Sequence, residues 1–128
     1  MTTSLVIQTS FLGDTVLTTP LIGELAARGP VDVIVTPPAR NLLANDPRIR
    51  ELFVYDKRGH DSGMSGLARM ARRVRARWRA HGQTATPATA YLAQGSMRSA
   101  ALAVLVRARE RVGFADAPGR LLYTRRVV

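Results

Sequence analysis

The chain of 128 residues has no cysteine, two histidines, a single lysine and few aromatic side chains, and each shortage removes a class of function. Without cysteine there is no disulfide framework, zinc ribbon, thiol nucleophile or redox pair. The histidines, His60 and His81, stand far apart, so no multi-histidine metal site is expected within one chain, and no metal or other cofactor is called for. Aromatic residues make up 5% of the chain, too few for the stacking platforms that hold single-stranded nucleic acid. Long hydrophobic runs are missing too. The longest, Ala100 to Val106, falls far short of the roughly 18 residues a membrane-spanning helix needs. The first positive charge is Arg28, so no basic segment of a secretory signal precedes the first strand-like run, and a cytoplasmic location is expected.

Positive charge is abundant. The formal net charge is +10, carried by 18 arginines beside Lys57, a ratio that also reflects a compositional preference for arginine and alanine. Such a balance predicts attraction to anionic partners: a phosphorylated glycolipid, a membrane surface or nucleic acid. The length suits one domain over residues 1–128, large enough to bury about two thirds of its unfolded surface.

Short apolar runs alternate with longer helical patterns. Leu5-Val6-Ile7 reads as a strand. Thr15 to Arg28 follows with apolar residues at helical spacing (Val16, Leu17, Leu21, Ile22, Leu25, Ala26), closed by Gly29-Pro30. Val31 to Val35 reads as a strand, Ala39 to Ala44 as a short helix, and Leu52 to Tyr55 as a third strand. A long helix is expected from about Ser65 to Ala80, its apolar stripe Leu67, Met70, Ala71, Val74 and Trp78. Gln83 to Thr89 is irregular; Ala90 to Ala93 and Arg111 to Phe114 read as strands flanking a helix over Met97 to Arg107. The tail from Pro118 holds at most one more turn and an extended end. This order implies an α/β, Rossmann-like, open and mostly parallel sheet with helices on both faces.

Ligands of such sheets bind beyond the carboxyl ends of the strands. The segments placed there are Thr9 to Asp14, Asp56 to His60, Gln94 to Ser99 and Phe114 to Arg120. They offer one acid at a helix entrance, Asp14, and several cations and small polar groups, a set suited to an anionic, hydroxyl-rich ligand. The usual nucleotide motifs are absent. No Gly-x-Gly-x-x-Gly follows the first strand, no Gly-Lys-Ser/Thr follows any strand, and no Gly-x-Ser-x-Gly elbow or Asp-x-Asp pair occurs.

The run Leu5 to Pro20, with Gly13-Asp14 followed by Thr19-Pro20, resembles the N-terminal segment of glycosyltransferase family 9, the ADP-heptose:lipopolysaccharide heptosyltransferases. Supporting stretches are Val33-Ile34-Val35 with Asn45 to Leu52, Gln94 to Leu102, and Glu110 to Phe114. The likeness runs in order over nearly the whole chain. It departs at Gln83 to Thr89, where the family carries an aromatic-Asp pair. The resemblance implies the N-terminal, acceptor-binding half of a two-domain GT-B fold. It also implies inverting, metal-independent transfer of heptose from ADP-heptose to the lipopolysaccharide inner core. The ADP-heptose site belongs to a C-terminal domain that this sequence does not match, so the chain is not expected to turn over alone.

Carried over, the resemblance makes Asp14 the general base, and it places Ser10, Gly13, Lys57, Gln94, Gly95, Ser96, Arg98 and Arg120 along the acceptor pocket, with Ser99 beside them. Each residue also has a plainer reading. Asp14 equally suits a helix N-cap, which leaves Pro20 inside the helix; a cap at Thr19 puts Pro20 at the favoured first position. Arg98 suits a solvent-facing first turn, Lys57, Arg58 and Arg120 are loop cations, and His60 is a loop residue. The arginines from Arg69 to Arg79 fit contact with an anionic inner membrane or a solvated helix face. Two further alternatives are a non-catalytic binder of anionic glycans and a generic polyanion binder; no motif of specific nucleic-acid recognition is present.

Overall fold

In a computed structural model of the chain, residues 3–9, 12–56, 59, 61–82, 89–93, 97–115 and 117–127 are described, without the side chains of 12–17. The strands are β1 (Ser4–Gln8), β2 (Val31–Val35), β3 (Glu51–Val54), β4 (Thr89–Leu92), β5 (Glu110–Phe114) and β6 (Arg125–Val127). The helices are α1 (Leu12–Ala26), α2 (Arg40–Leu43), α3 (Gly63–Ala80) and α4 (Met97–Leu105), with single 3-10 turns at Pro37–Ala39 and Arg120–Leu122. All strand pairings are parallel, and the sheet order is β3–β2–β1–β4–β5–β6. The expected α/β open sheet is therefore present, with one parallel strand more than the sequence suggested: the extended tail pairs with β5, Val112 opposite Arg125.

The central strands are apolar on both faces because both faces are covered, as parallel sheets require. Every residue of β1 and β2 is buried. On one face Leu5, Ile7, Ile34, Ala90 and Leu92 pack against α3 and α4. On the other, Val6, Val33 and Val35 pack against Ile22 and Leu25 of α1 and Leu43 of α2. The buried stripe of α3 is the expected one, Leu67, Met70, Ala71, Val74 and Trp78, with Gly66 added at its first turn. A Cβ at Gly66 would collide with the backbone carbonyl of Asp61, so glycine is what lets the helix start this close to the preceding turn.

Helix α1 begins earlier than its apolar pattern suggested. Leu12 opens it, so neither Asp14 nor Thr19 is the N-cap: Asp14 lies in the first turn, and Pro20 sits inside the helix. Pro20 has no N–H for the carbonyl four residues before it, and the burial of Ile22 and Leu25 holds the helix together beyond that point.

At the amino ends of β2 and β3 lies a polar knot. The fully buried Asp32 takes both Nε and Nη2 of Arg50 (3.1 and 2.7 Å), the backbone N–H of Glu51 (3.1 Å) and the indole N–H of Trp78 (2.8 Å). Glu51 in turn accepts from Arg77 (2.7 Å) and contacts His81 Nε2 (2.8 Å). This knot stands at the opposite end of the sheet from the crevice described next, and its partners tie elements together.

Candidate functional site

Strand order reverses between β1 and β4, whose carboxyl ends therefore diverge into a crevice. The carboxyl ends of β1, β3, β4 and β5 all lie on that edge. Gln8, the last residue of β1, donates from Nε2 to Thr18 Oγ1 of α1 at 3.0 Å. Next in the chain, the Thr9 hydroxyl lies 2.8 Å from the hydroxyl of Ser99 in α4, a buried link between the strand and the helix on the opposite flank. Ser99 thus faces inward and is not part of an open pocket lining.

Tyr55 follows β3 and is fully buried, with its hydroxyl lacking a hydrogen-bond partner among the described residues. Burial pushes its phenol pKa up; the positive charge of Arg98 opposes that shift and the carboxylate of Asp61 adds to it. Asp61 accepts the backbone N–H of Asp56 at 2.9 Å and lies 3.8 Å from Arg73, which fixes the turn between β3 and α3.

Beside the crevice a cleft of about 440 Å³ opens over the α1 side of the sheet, lined by Gln8, Thr18, Leu21, Tyr91, Ala93 and Phe114 among others. Its walls are mainly apolar, with the Gln8 amide and Thr18 hydroxyl as polar points. Such a surface suits a ligand that is largely apolar in its contacts and is oriented by few polar groups.

Asp14 is placed by its backbone in the first turn of α1, at the mouth of the crevice, with Gly13 before it; its carboxylate lies outside the described residues. Ser10, Lys57, Gln94, Gly95 and Ser96 also lie outside them, as do Arg58, His60 and Asp116. Arg98 is exposed in the first turn of α4, on the crevice edge. Arg120 follows β5; its guanidinium donates to the carbonyl of Ala117 at 3.2 Å, within its own loop. Gln8, Thr18 and Phe114 fall inside the stretches that carry the family resemblance but were not singled out there, and Tyr55 and Tyr91 carry no motif. Gln8 and Tyr55 are also the polar ends of otherwise apolar runs. No group of three metal-ligating acids or histidines occurs among the described residues, and no helix described is long and apolar enough to cross a membrane.

No protein-family model matches the chain, and no curated protein does. Solved structures do. The glycosyl transferase family 9 structure from Veillonella parvula superposes with a TM-score of 0.82 at 23% identity, over 99% of this chain and 36% of that one. The E. coli ADP-heptose lps heptosyltransferase II gives 0.73 at 23%, over 100% of this chain and 35% of that one. The E. coli heptosyltransferase WaaC with ADP gives 0.65 at 19%, over 98% and 41%. The chain thus has the fold of one half of a GT-B enzyme and spans well under half the length of each of these structures.

Proposed function

We propose that the chain is the acceptor-binding part of a heptosyltransferase-like, inverting glycosyltransferase. One observation carries the reading: an almost complete superposition on family 9 structures, with Gly13-Asp14 falling where the first helix of the sheet meets the crevice. The acceptor is a lipopolysaccharide core sugar, and the donor ADP-heptose is held by a second domain outside these residues. Contact with the anionic inner face of the inner membrane belongs to the same reading, because the acceptor is lipid-linked.

In this mechanism Asp14 accepts the proton of an acceptor hydroxyl as that oxygen forms a bond to the anomeric carbon and the bond to ADP breaks, inverting the configuration. A sugar hydroxyl is a weak nucleophile, and a carboxylate within hydrogen-bond reach lowers the barrier by taking its proton in the transition state. Arg98 supplies positive charge for the acidic or phosphorylated groups of the acceptor, and the apolar cleft receives its carbon faces.

The experiment is heptosyl transfer to a lipopolysaccharide core acceptor by this chain, alone and with a heptosyltransferase donor domain. Turnover only in the combined sample, lowered about 100-fold or more by Asp14→Asn, supports the reading. A folded chain that binds the acceptor but never turns it over makes it a non-catalytic glycan binder instead.

A further inference from the structure

Helix α4 buries Ser99, Ala100, Leu102 and Ala103, yet its outward side is also apolar. Met97 (52% exposed), Val104 (39%) and Leu105 (38%) stand at positions i, i+7 and i+8 and form one outward stripe, with Ala101 half-buried at its edge against the core. Apart from Arg98 in the first turn, this outward side carries no charge, and an apolar stripe of that kind belongs under cover. Beside it runs α3, on the same face of the sheet. Neither helix contains a single acidic residue. Arg73 and Arg77 are engaged with β3 and its following turn, whereas exposed Arg72 and Arg79 and half-buried Arg75 make no ion pair among the described residues. Arg107 and Arg109, exposed just past the end of α4, extend the same positive field.

We infer that this α3–α4 face docks on an anionic lipid surface. The arginines meet lipid phosphates while Met97, Val104 and Leu105 enter the headgroup boundary, the combination by which a surface helix holds to a charged bilayer. Charge complementarity selects this occupant. A duplex nucleic acid would use the arginines and leave the apolar stripe in water. The orientation has a further consequence: the first turn of α4, with Arg98, lies at the crevice edge, so docking brings that edge to a lipid-linked acceptor. In that respect the inference extends the proposed function, but its test contains no sugar and stands or falls without glycosyl transfer.

The test is co-sedimentation of the whole chain with vesicles of equal parts phosphatidylglycerol and phosphatidylcholine, against phosphatidylcholine alone. Binding is expected only to the anionic vesicles. Arg72→Glu with Arg79→Glu should weaken it about thirtyfold or more. Arg28→Glu with Arg40→Glu makes the same change in net charge on the opposite side of the sheet and should leave binding nearly intact. Val104→Ser with Leu105→Ser should weaken it about tenfold and abolish the part that survives high salt, and the well exposed Met97→Ser serves as a second variant. Equal losses from the two charge reversals would reduce the effect to bulk charge and overturn the proposal. So would indifference to all three apolar substitutions together with tight binding of duplex DNA. Self-association that disappears with the serine variants, in a chain that ignores anionic vesicles, would assign the face to a second copy instead.

Discussion

The indole N–H of Trp78, in the last turn of α3, donates to Asp32 Oδ2 at 2.8 Å across 46 positions of sequence. The same carboxylate holds Arg50 in a two-pronged contact, so one buried acid at the foot of β2 fastens both the next strand and the longest helix. A buried charge is tolerable only when its lone pairs are filled, and here four donors fill them.

Removing that acid leaves the indole N–H and a largely covered guanidinium without their acceptor. Asp32→Ala is expected to cost about 3 kcal/mol or more, while Trp78→Phe, which removes one donor to a charged group, costs about 2 kcal/mol, part of it lost packing. Urea midpoints by circular dichroism check both. Equal stability of Asp32→Ala and the parent chain would show that the knot holds nothing.

Acid should act first at Glu51. The hydrogen bond from Arg77 holds its carboxyl below the ordinary glutamate value of 4.5; burial opposes this, and His81 adds to the lowering. The unfolded chain therefore binds this proton more readily than the native one. The stabilisation is present in full above the unfolded value and is lost as pH falls through the lower native value. Urea midpoints measured from neutrality downward should start to fall below about pH 5, and Glu51→Gln should flatten part of that fall. An identical acid limb in both proteins would remove Glu51 from the account.

Gly113 has no room for a methyl group. Its absent Cβ points into the ring of Tyr123, which lies over β5 as part of the core on the α3–α4 face. Gly113→Ala is expected to destabilise by about 2 kcal/mol through displacement of that ring. Because the two residues touch, Tyr123→Ala should absorb much of the penalty, and the double variant should be less destabilised than the two single effects combined. Strict additivity in thermal melts would argue against the contact.

Tyr55 gives the opposite expectation. Its buried hydroxyl has no partner among the described residues, so Tyr55→Phe removes a desolvated polar atom without breaking a bond. Stability should hold or rise by as much as about 1 kcal/mol. A loss of similar size would show that the hydroxyl is satisfied in solution, and acceptor binding by the same variant would then reveal what satisfies it.

Local chemistry made much of the fold readable. Val31 to Val35 and Leu5 to Ile7 are β-branched runs that suit strands buried on both faces, and the apolar spacing of α3 matches its buried stripe. Strand β6 was not readable, because Arg125-Arg126-Val127 lies exposed at the sheet edge and takes its pairing from β5 rather than from any apolar pattern. The start of α1 was hidden by Gly13 and its turn-prone neighbours, whose helix propensity is weak. The end of α4 came two residues early because Arg107 takes a positive φ of 63°, which breaks the helix after Leu105. Asp32 gave no signal within its strand, since nothing nearby announces partners 18 and 46 residues away. At the site, the crevice follows from strand order alone, whereas the role of Asp14 comes from the family resemblance. The buried Tyr55 and the Thr9–Ser99 link depend on packing between distant segments.

The middle position of β1 also sets a timetable. Ser4 pairs with Val31 on one side and with Thr89 on the other, so the strand finds its first neighbour close by in the chain and its second only far downstream. Until then one edge of an aliphatic ribbon stands open, and closing that long loop is the slow, entropically costly step typical of parallel sheets. A cell making this protein therefore carries an interval in which Leu5, Val6 and Ile7 can pair with the wrong strand. Slow growth temperature or a bound chaperone should then raise the yield of native protein more than any stabilising surface change.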